Sequence, residues 1–177
     1  MLTAQSGNTG GLTWAAAPSG ITVADQWRLT ADKNTTSTQS TISANLEQTD
    51  TAGQGNLGSS MTQSSGIFTF PATGTYLVTS NATYKNRDNN NANFVEIIHR
   101  VTTNNSSYNN TAHSDGYFNS LASVIYNTVT AMDMINVTNT SNVKIKFDLI
   151  SQQDAAVSGD STENYTCFTF IRLGDST

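Results

Sequence analysis

Gly66-Ile67-Phe68-Thr69-Phe70-Pro71-Ala72-Thr73-Gly74-Thr75-Tyr76-Leu77-Val78 is the stretch from which the fold is read. Alternation along an extended chain sends Phe68 and Phe70 to one face. Pro71 has no N–H for a ladder bond and a locked φ, so the first strand ends there. Gly74 permits a φ that other residues avoid, so the chain turns and restarts as Tyr76-Leu77-Val78. Two short apolar strands around a Pro-Ala-Thr-Gly corner predict a β protein.

Working outward, the same period-two pattern recurs. Ile21–Thr30 sets Val23, Asp25, Trp27 and Leu29 against Thr22, Ala24, Gln26 and Arg28, with Trp27 inward. Thr75–Lys85 extends the second strand of the corner, with Tyr76, Val78, Ser80, Ala82 and Tyr84 on one side. Phe94–Val101 puts Val95, Ile97, His99 and Val101 on one face and Phe94, Glu96, Ile98 and Arg100 on the other. Val143, Ile145, Phe147 and Leu149 oppose Lys144, Lys146 and Asp148, the clearest half-buried strand. Tyr165–Leu173 is apolar on both faces, which predicts a central strand that reaches an oligomer axis. Shorter strands are expected at Thr41–Gln48, Leu57–Met61, Leu121–Val129 and Met132–Thr138. Asn86–Asn93, Thr102–Ser120 and Gln152–Asn164 read as loops. No segment has a 3.6-residue apolar period. The expectation is an all-β chain, an antiparallel jelly-roll sandwich of about eight to ten strands. An immunoglobulin-like sandwich is the rival, without its Cys-Trp-Cys hallmark.

Residues 1–20 differ from the rest. They are small and glycine-containing, with two apolar points at Leu12 and Trp14, and read as an extended arm ahead of a jelly-roll domain over 21–177. An indole is costly to leave in water. Trp14 therefore docks either on its own domain or on a neighbouring subunit or larger scaffold.

Bulk properties narrow the function. A chain of 177 residues can bury a core without metal or disulfide staples, and its single cysteine, Cys167, can form no intrachain bridge. Charged residues are only 12%, which leaves Asn, Thr and Ser to clothe the outer faces. A net charge of −5 without any run of Lys or Arg argues against nucleic acid or an anionic membrane as partner. No apolar run has transmembrane length, so membrane insertion is not expected, and no charged-then-apolar signal opens the chain. The sequons at Asn34, Asn81, Asn136 and Asn164 follow from the Asn- and Thr-rich composition.

Chemistry is sparse. His99 and His113 are the two histidines, and no nucleophile elbow, His-Glu-x-x-His or Cys-x-x-Cys set is present. His99 faces inward and reads as a core imidazole. His113 and Asp115 are two potential metal ligands lacking a third. Asp154, Asp160 and Glu163 share a polar loop without EF-hand spacing and read as solvated acids. Tyr108, Tyr117 and Phe118 stand among Asn and Ser, a composition suited to stacking on sugar faces and equally to plain solvated tips. No catalytic residues and no cofactor are expected.

The corner resembles the signature of the complement-type globular head, a family of the tumour necrosis factor (TNF)-like jelly rolls, whose Gly-x-Phe-x-x-Pro-x-x-Gly-x-Tyr pattern it follows from Gly66 to Tyr76. Tyr165-Thr166-Cys167-Phe168-Thr169-Phe170-Ile171-Arg172-Leu173 is similar to that family's closing strand. Ala131-Met132-Asp133-Met134-Ile135-Asn136-Val137 matches a third motif, with Met132 where the family has Gly. The resemblance spans roughly residues 21–173. It implies a ten-stranded homotrimer, with Phe94, Ile98, Phe168 and Phe170 as candidates for burial at the threefold axis. Met1–Ala15 resembles a short module of phage tail-fibre and virion proteins, and Arg172-Leu173-Gly174-Asp175 resembles chain ends of marine phage proteins.

Together these imply a non-enzymatic virion protein: a capsid decoration (cement) protein whose arm, through Leu12 and Trp14, grips the major capsid protein or another virion protein. The alternative is the tip of a tail or head fibre, contacting a host surface glycan through Tyr108, Tyr117 and Phe118. A cellular complement-like lectin is a third reading.

Overall fold

In a computed structural model the chain is described over residues 20–87, 94–118 and 124–177, together with the backbone of Leu2–Thr3 and Thr13–Trp14. Those two short pieces are strands β1 and β2, paired antiparallel with Leu2 opposite Trp14 and Thr3 opposite Thr13. Leu12 and the Trp14 side chain, expected to grip a partner, lie outside the described residues.

The domain is a sandwich of two antiparallel sheets. Its strands are β3 (Ala24–Leu29), β4 (Lys33–Thr35), β5 (Ser40–Thr41), β6 (Leu46–Gln48), β7 (Thr62–Ser64), β8 (Ile67–Thr69), β9 (Gly74–Asn86), β10 (Val95–Thr102), β11 (Asn109–Gly116), β12 (Tyr126–Val137), β13 (Lys144–Ser151), β14 (Ala155–Val157) and β15 (Cys167–Gly174). The smaller sheet runs β11-β10-β13-β8-β7, with β5 also on β13. The larger runs β4-β14-β9-β15-β3-β6 and adds β12 on the other side of β9. No helix occurs among the described residues.

The Pro-Ala-Thr-Gly corner is the crossover between these sheets. β8 pairs with β13 and β7, whereas β9 belongs to the other sheet. Phe70 and Tyr76 close the corner from within, their rings 4.8 Å apart, and the Tyr76 hydroxyl donates to the Ala72 carbonyl at 3.0 Å. Gly66 opens the stretch at φ +78°, where an added Cβ would stand 1.9 Å from the Ile42 carbonyl oxygen. No other residue fits there.

Between the sheets lies an aromatic core. Phe68, Phe147, Phe168 and Phe170 are each sealed from water, and the Phe147 and Phe168 rings stack at 4.2 Å. Phe168 and Phe170 therefore cannot line a threefold axis. β15 is central, between β9 and β3, as its two apolar faces predict. Its more aromatic face turns to the opposing sheet, because that is where ring area is removed from water within one chain. Ile98 is likewise buried by its own chain, and Phe94 is half-buried at the start of β10.

Several elements differ from the sequence reading. Residues 109–116 form a full strand although they read as loop, since Asn109-Asn110-Thr111-Ala112-His113-Ser114-Asp115-Gly116 carries almost no apolar alternation. Its pairing to β10 supplies the order that propensity does not. β12 is one continuous strand with no break at Ala131, and Ala155–Val157 inserts a short strand into the expected 152–164 loop. Thr41–Gln48 splits into β5 and β6, with Asn45 at φ 56° between them.

Candidate functional site: the outward face of the larger sheet

Strand parity defines this face. In β12 Val129, Ala131, Ile135 and Val137 turn inward, so Tyr126, Met132, Met134 and Asn136 turn out. Register then lines up neighbours. Met134 stands opposite Leu77, Leu77 opposite Ile171, Ile171 opposite Ala24, and Ala24 bridges to Leu57. The result is an unbroken apolar row across the sheet, in which Met134 is 63% and Leu57 49% exposed. The adjacent row, Met132-Thr79-Thr169-Gln26, is neutral, with Met132 64% exposed. Hydroxyls and amides continue the surface: Thr130 donates to Asn81 at 2.8 Å and Gln26 to Thr169 at 2.8 Å.

Charge is confined to the margins. Arg28 is sealed beneath the 47–54 segment, donating to Glu47 at 2.7 Å, Asp50 at 2.6 Å and Thr51 at 2.8 Å. Lys85 pairs with Asp32. The centre of the face is thus apolar, flanked by neutral groups that already satisfy one another, the character of an interface core. The sequence reading overlooked it. Met132 and Met134 alternate with Asp133, and only the register shows which set faces out.

The expected receptor-contact residues do not converge. Phe118 enters the hydrophobic core. Tyr108 and Tyr117 bracket β11, and nine residues of extended chain separate them by about 30 Å. Tyr108 is half-buried, with Lys146 Nζ 5.0 Å from its ring centre, and burial raises its hydroxyl pKa. Tyr117 is 63% exposed, beside a cavity of about 480 Å³ lined by Phe94, Glu96, Asp115 and Gly116.

At that cavity β11 brings His113 beside Glu96, with His113 Nδ1 3.8 Å from Glu96 Oε1, and sets Asp115 directly opposite Glu96. Burial, then the neighbouring Asp115 charge, raises the Glu96 carboxyl above its usual range, with His113 opposing. Glu96 is the third group that the sequence reading of His113 and Asp115 lacked. Strand pairing supplies it from seventeen positions away.

The acidic loop closes on itself. Asp160 Oδ1 accepts from the Thr162 N–H and hydroxyl, both at 2.7 Å, and from the Glu163 N–H at 3.0 Å, which holds its carboxyl below the ordinary range. Inside the sandwich, Ser80 is hydrogen-bonded to His99, and the Asp133 charge acts on the same ring. Ser80 and His99 are fully buried, so this trio presents no nucleophile to a substrate. Cys167 is buried, and that burial raises its thiol pKa, away from the reactive thiolate.

No protein-family model and no curated protein matches the chain. Solved structures do. Eiger TNF from S. frugiperda superposes with a TM-score of 0.65 at 10% identity, covering 90% of this chain and 96% of that one. The fold is TNF-like. Murine APRIL at pH 5.0 agrees, at a TM-score of 0.62 and 11% identity over 85% of this chain and 98% of its own. At such identities the TNF-like jelly roll is what is shared, and this chain spans nearly the whole of each.

Proposed function

We propose that this chain is a non-enzymatic structural protein that works as a homotrimer, closed through the outward face of its larger sheet. The observation that carries this reading is the apolar row Met134-Leu77-Ile171-Ala24-Leu57, open to solvent in a single chain and free of charge at its centre. A second copy is the occupant that suits it, because TNF-like jelly rolls resembling this chain assemble in threes and the face has no charge for a charged partner to complement. Within that reading we place the trimer on the outer surface of a phage particle as a capsid decoration protein. The supports are the resemblance of Met1–Ala15 to a virion module and the low-charge, Asn- and Thr-rich surface. Three arms per trimer would hold by avidity where a single arm binds weakly.

Sedimentation equilibrium of the full chain tests the assembly. A trimer mass at micromolar concentration is expected, and a stable monomer overturns it. Electron microscopy of capsids mixed with the chain lacking residues 1–20 tests the placement. Loss of decoration with the trimer intact is expected, whereas undiminished decoration removes the arm from the proposal.

A second reading, a fibre tip for host glycans, draws on the exposed Tyr117 ring beside the Phe94 cavity. A glycan array on which Tyr117→Ala abolishes signal would favour it over decoration.

A further inference from the structure

Glu96 and Asp115 are Cα partners across the β10–β11 pair, and His113 precedes Asp115 by two residues on the same face. One ligand atom from each lies within 4.8 Å of the others. Like charges directly opposite one another weaken a sheet, and the Glu96 side chain of this pair is sheltered, at 21% exposure, while Asp115 is exposed. A protonated imidazole balances one carboxylate. A dication balances both.

We propose that Glu96, His113 and Asp115 form a binding site for a divalent transition cation of the zinc class. The donor set decides the class. Calcium and magnesium take oxygen ligands, whereas an imidazole nitrogen with carboxylate oxygens suits zinc and its first-row neighbours. Bonds of about 2.0–2.2 Å in a tetrahedral array place ligand atoms about 3.3 Å apart. The set therefore closes by side-chain rotation at the exposed His113 and Asp115, with the paired strands left in place. Three protein ligands leave a fourth position open, and Glu96 and Asp115 also line the cavity beside Phe94 and Tyr117. An oxygen donor from solvent or from a bound molecule completes the shell there. The site lies on the outward face of the smaller sheet, so it neither depends on the homotrimer nor tests it.

The experiment uses the tag-free full chain, stripped with chelator, and zinc chloride as the probe. Calorimetric titration, with elemental analysis after gel filtration, is expected to give one zinc per chain. Each of Glu96→Gln, His113→Ala and Asp115→Asn is expected to weaken binding by about tenfold or more, with the far-UV spectrum unchanged. Asp154→Asn, on the separate acidic loop, is expected to bind as the parent does. Cobalt(II) in place of zinc should give visible absorption bands that vanish in His113→Ala. Absence of zinc from the parent chain, affinity unchanged in all three variants, or calcium bound as tightly as zinc would each overturn the site.

Discussion

Ser80 Oγ lies 2.7 Å from His99 Nε2 in the middle of the sandwich, and both side chains are sealed from water. The bond ties β9 of one sheet to β10 of the other, while the His99 ring meets the Phe147 ring edge-on at 5.1 Å. His99 Nδ1 and Asp133 Oδ2 are buried without a hydrogen-bond partner. A polar pair of this kind orients the two sheets as well as stabilising them.

Burial lowers the His99 pKa to about 4, with the Asp133 charge opposing that shift. The folded state thus holds the imidazole neutral while the unfolded chain protonates it below about pH 6.5. Stability is complete above that pH and is lost as pH falls from 6.5 towards 4, by up to about 3 kcal/mol. Urea midpoints measured across this window should fall with acid, and His99→Gln should flatten the slope. An unchanged slope in that variant would show that other groups carry the acid response. Ser80→Ala strands a buried ring nitrogen and is expected to cost about 1–3 kcal/mol at neutral pH.

Met134 and Leu77 face outward in a single chain, so charge there should separate subunits without unfolding them. Met134→Glu with Leu77→Asp is expected to give a monomer by light scattering, with the thermal transition of the isolated domain retained. A trimer that survives both changes places its contacts elsewhere.

Phe168 should behave in the opposite way. Its ring stacks on Phe147 within one chain, so Phe168→Ala opens a cavity in the core and should lose about 3–5 kcal/mol of stability. Chemical denaturation at different protein concentrations separates the cases. The loss should be the same at every concentration, unlike that of an interface residue.

Gly66→Ala addresses the opening corner. The positive φ costs about 1–2 kcal/mol for a residue with a Cβ, and the clash with the Ile42 carbonyl adds to it. Poor soluble yield or a markedly lowered melting temperature is expected. Gly53→Ala, also at positive φ but with open space around it, should pay only the backbone part.

Much of the fold was legible because burial parity is written locally. The inward sets of β9, β10 and β13 follow from alternation over a few residues, and the Pro71–Gly74 corner follows from two residues whose backbone limits are intrinsic. The antiparallel jelly roll, and the resemblance to TNF-like proteins, rested on those local signals. β11 was hidden because its residues have little preference of their own and gain order only from β10. The assignment of Phe168 and Phe170 to an interface failed at a related point. A strand apolar on both faces does not say which face meets its own chain.

The sequence by itself determined the class of fold, the central place of the closing strand and the corner between the sheets. Each depends on the intrinsic geometry of a short segment. Tertiary structure alone decided which apolar face stays open, and it alone brought Glu96 to His113 and Asp115. Both outcomes depend on the register between paired strands, and a shift of one residue would have turned every one of those side chains to the other face.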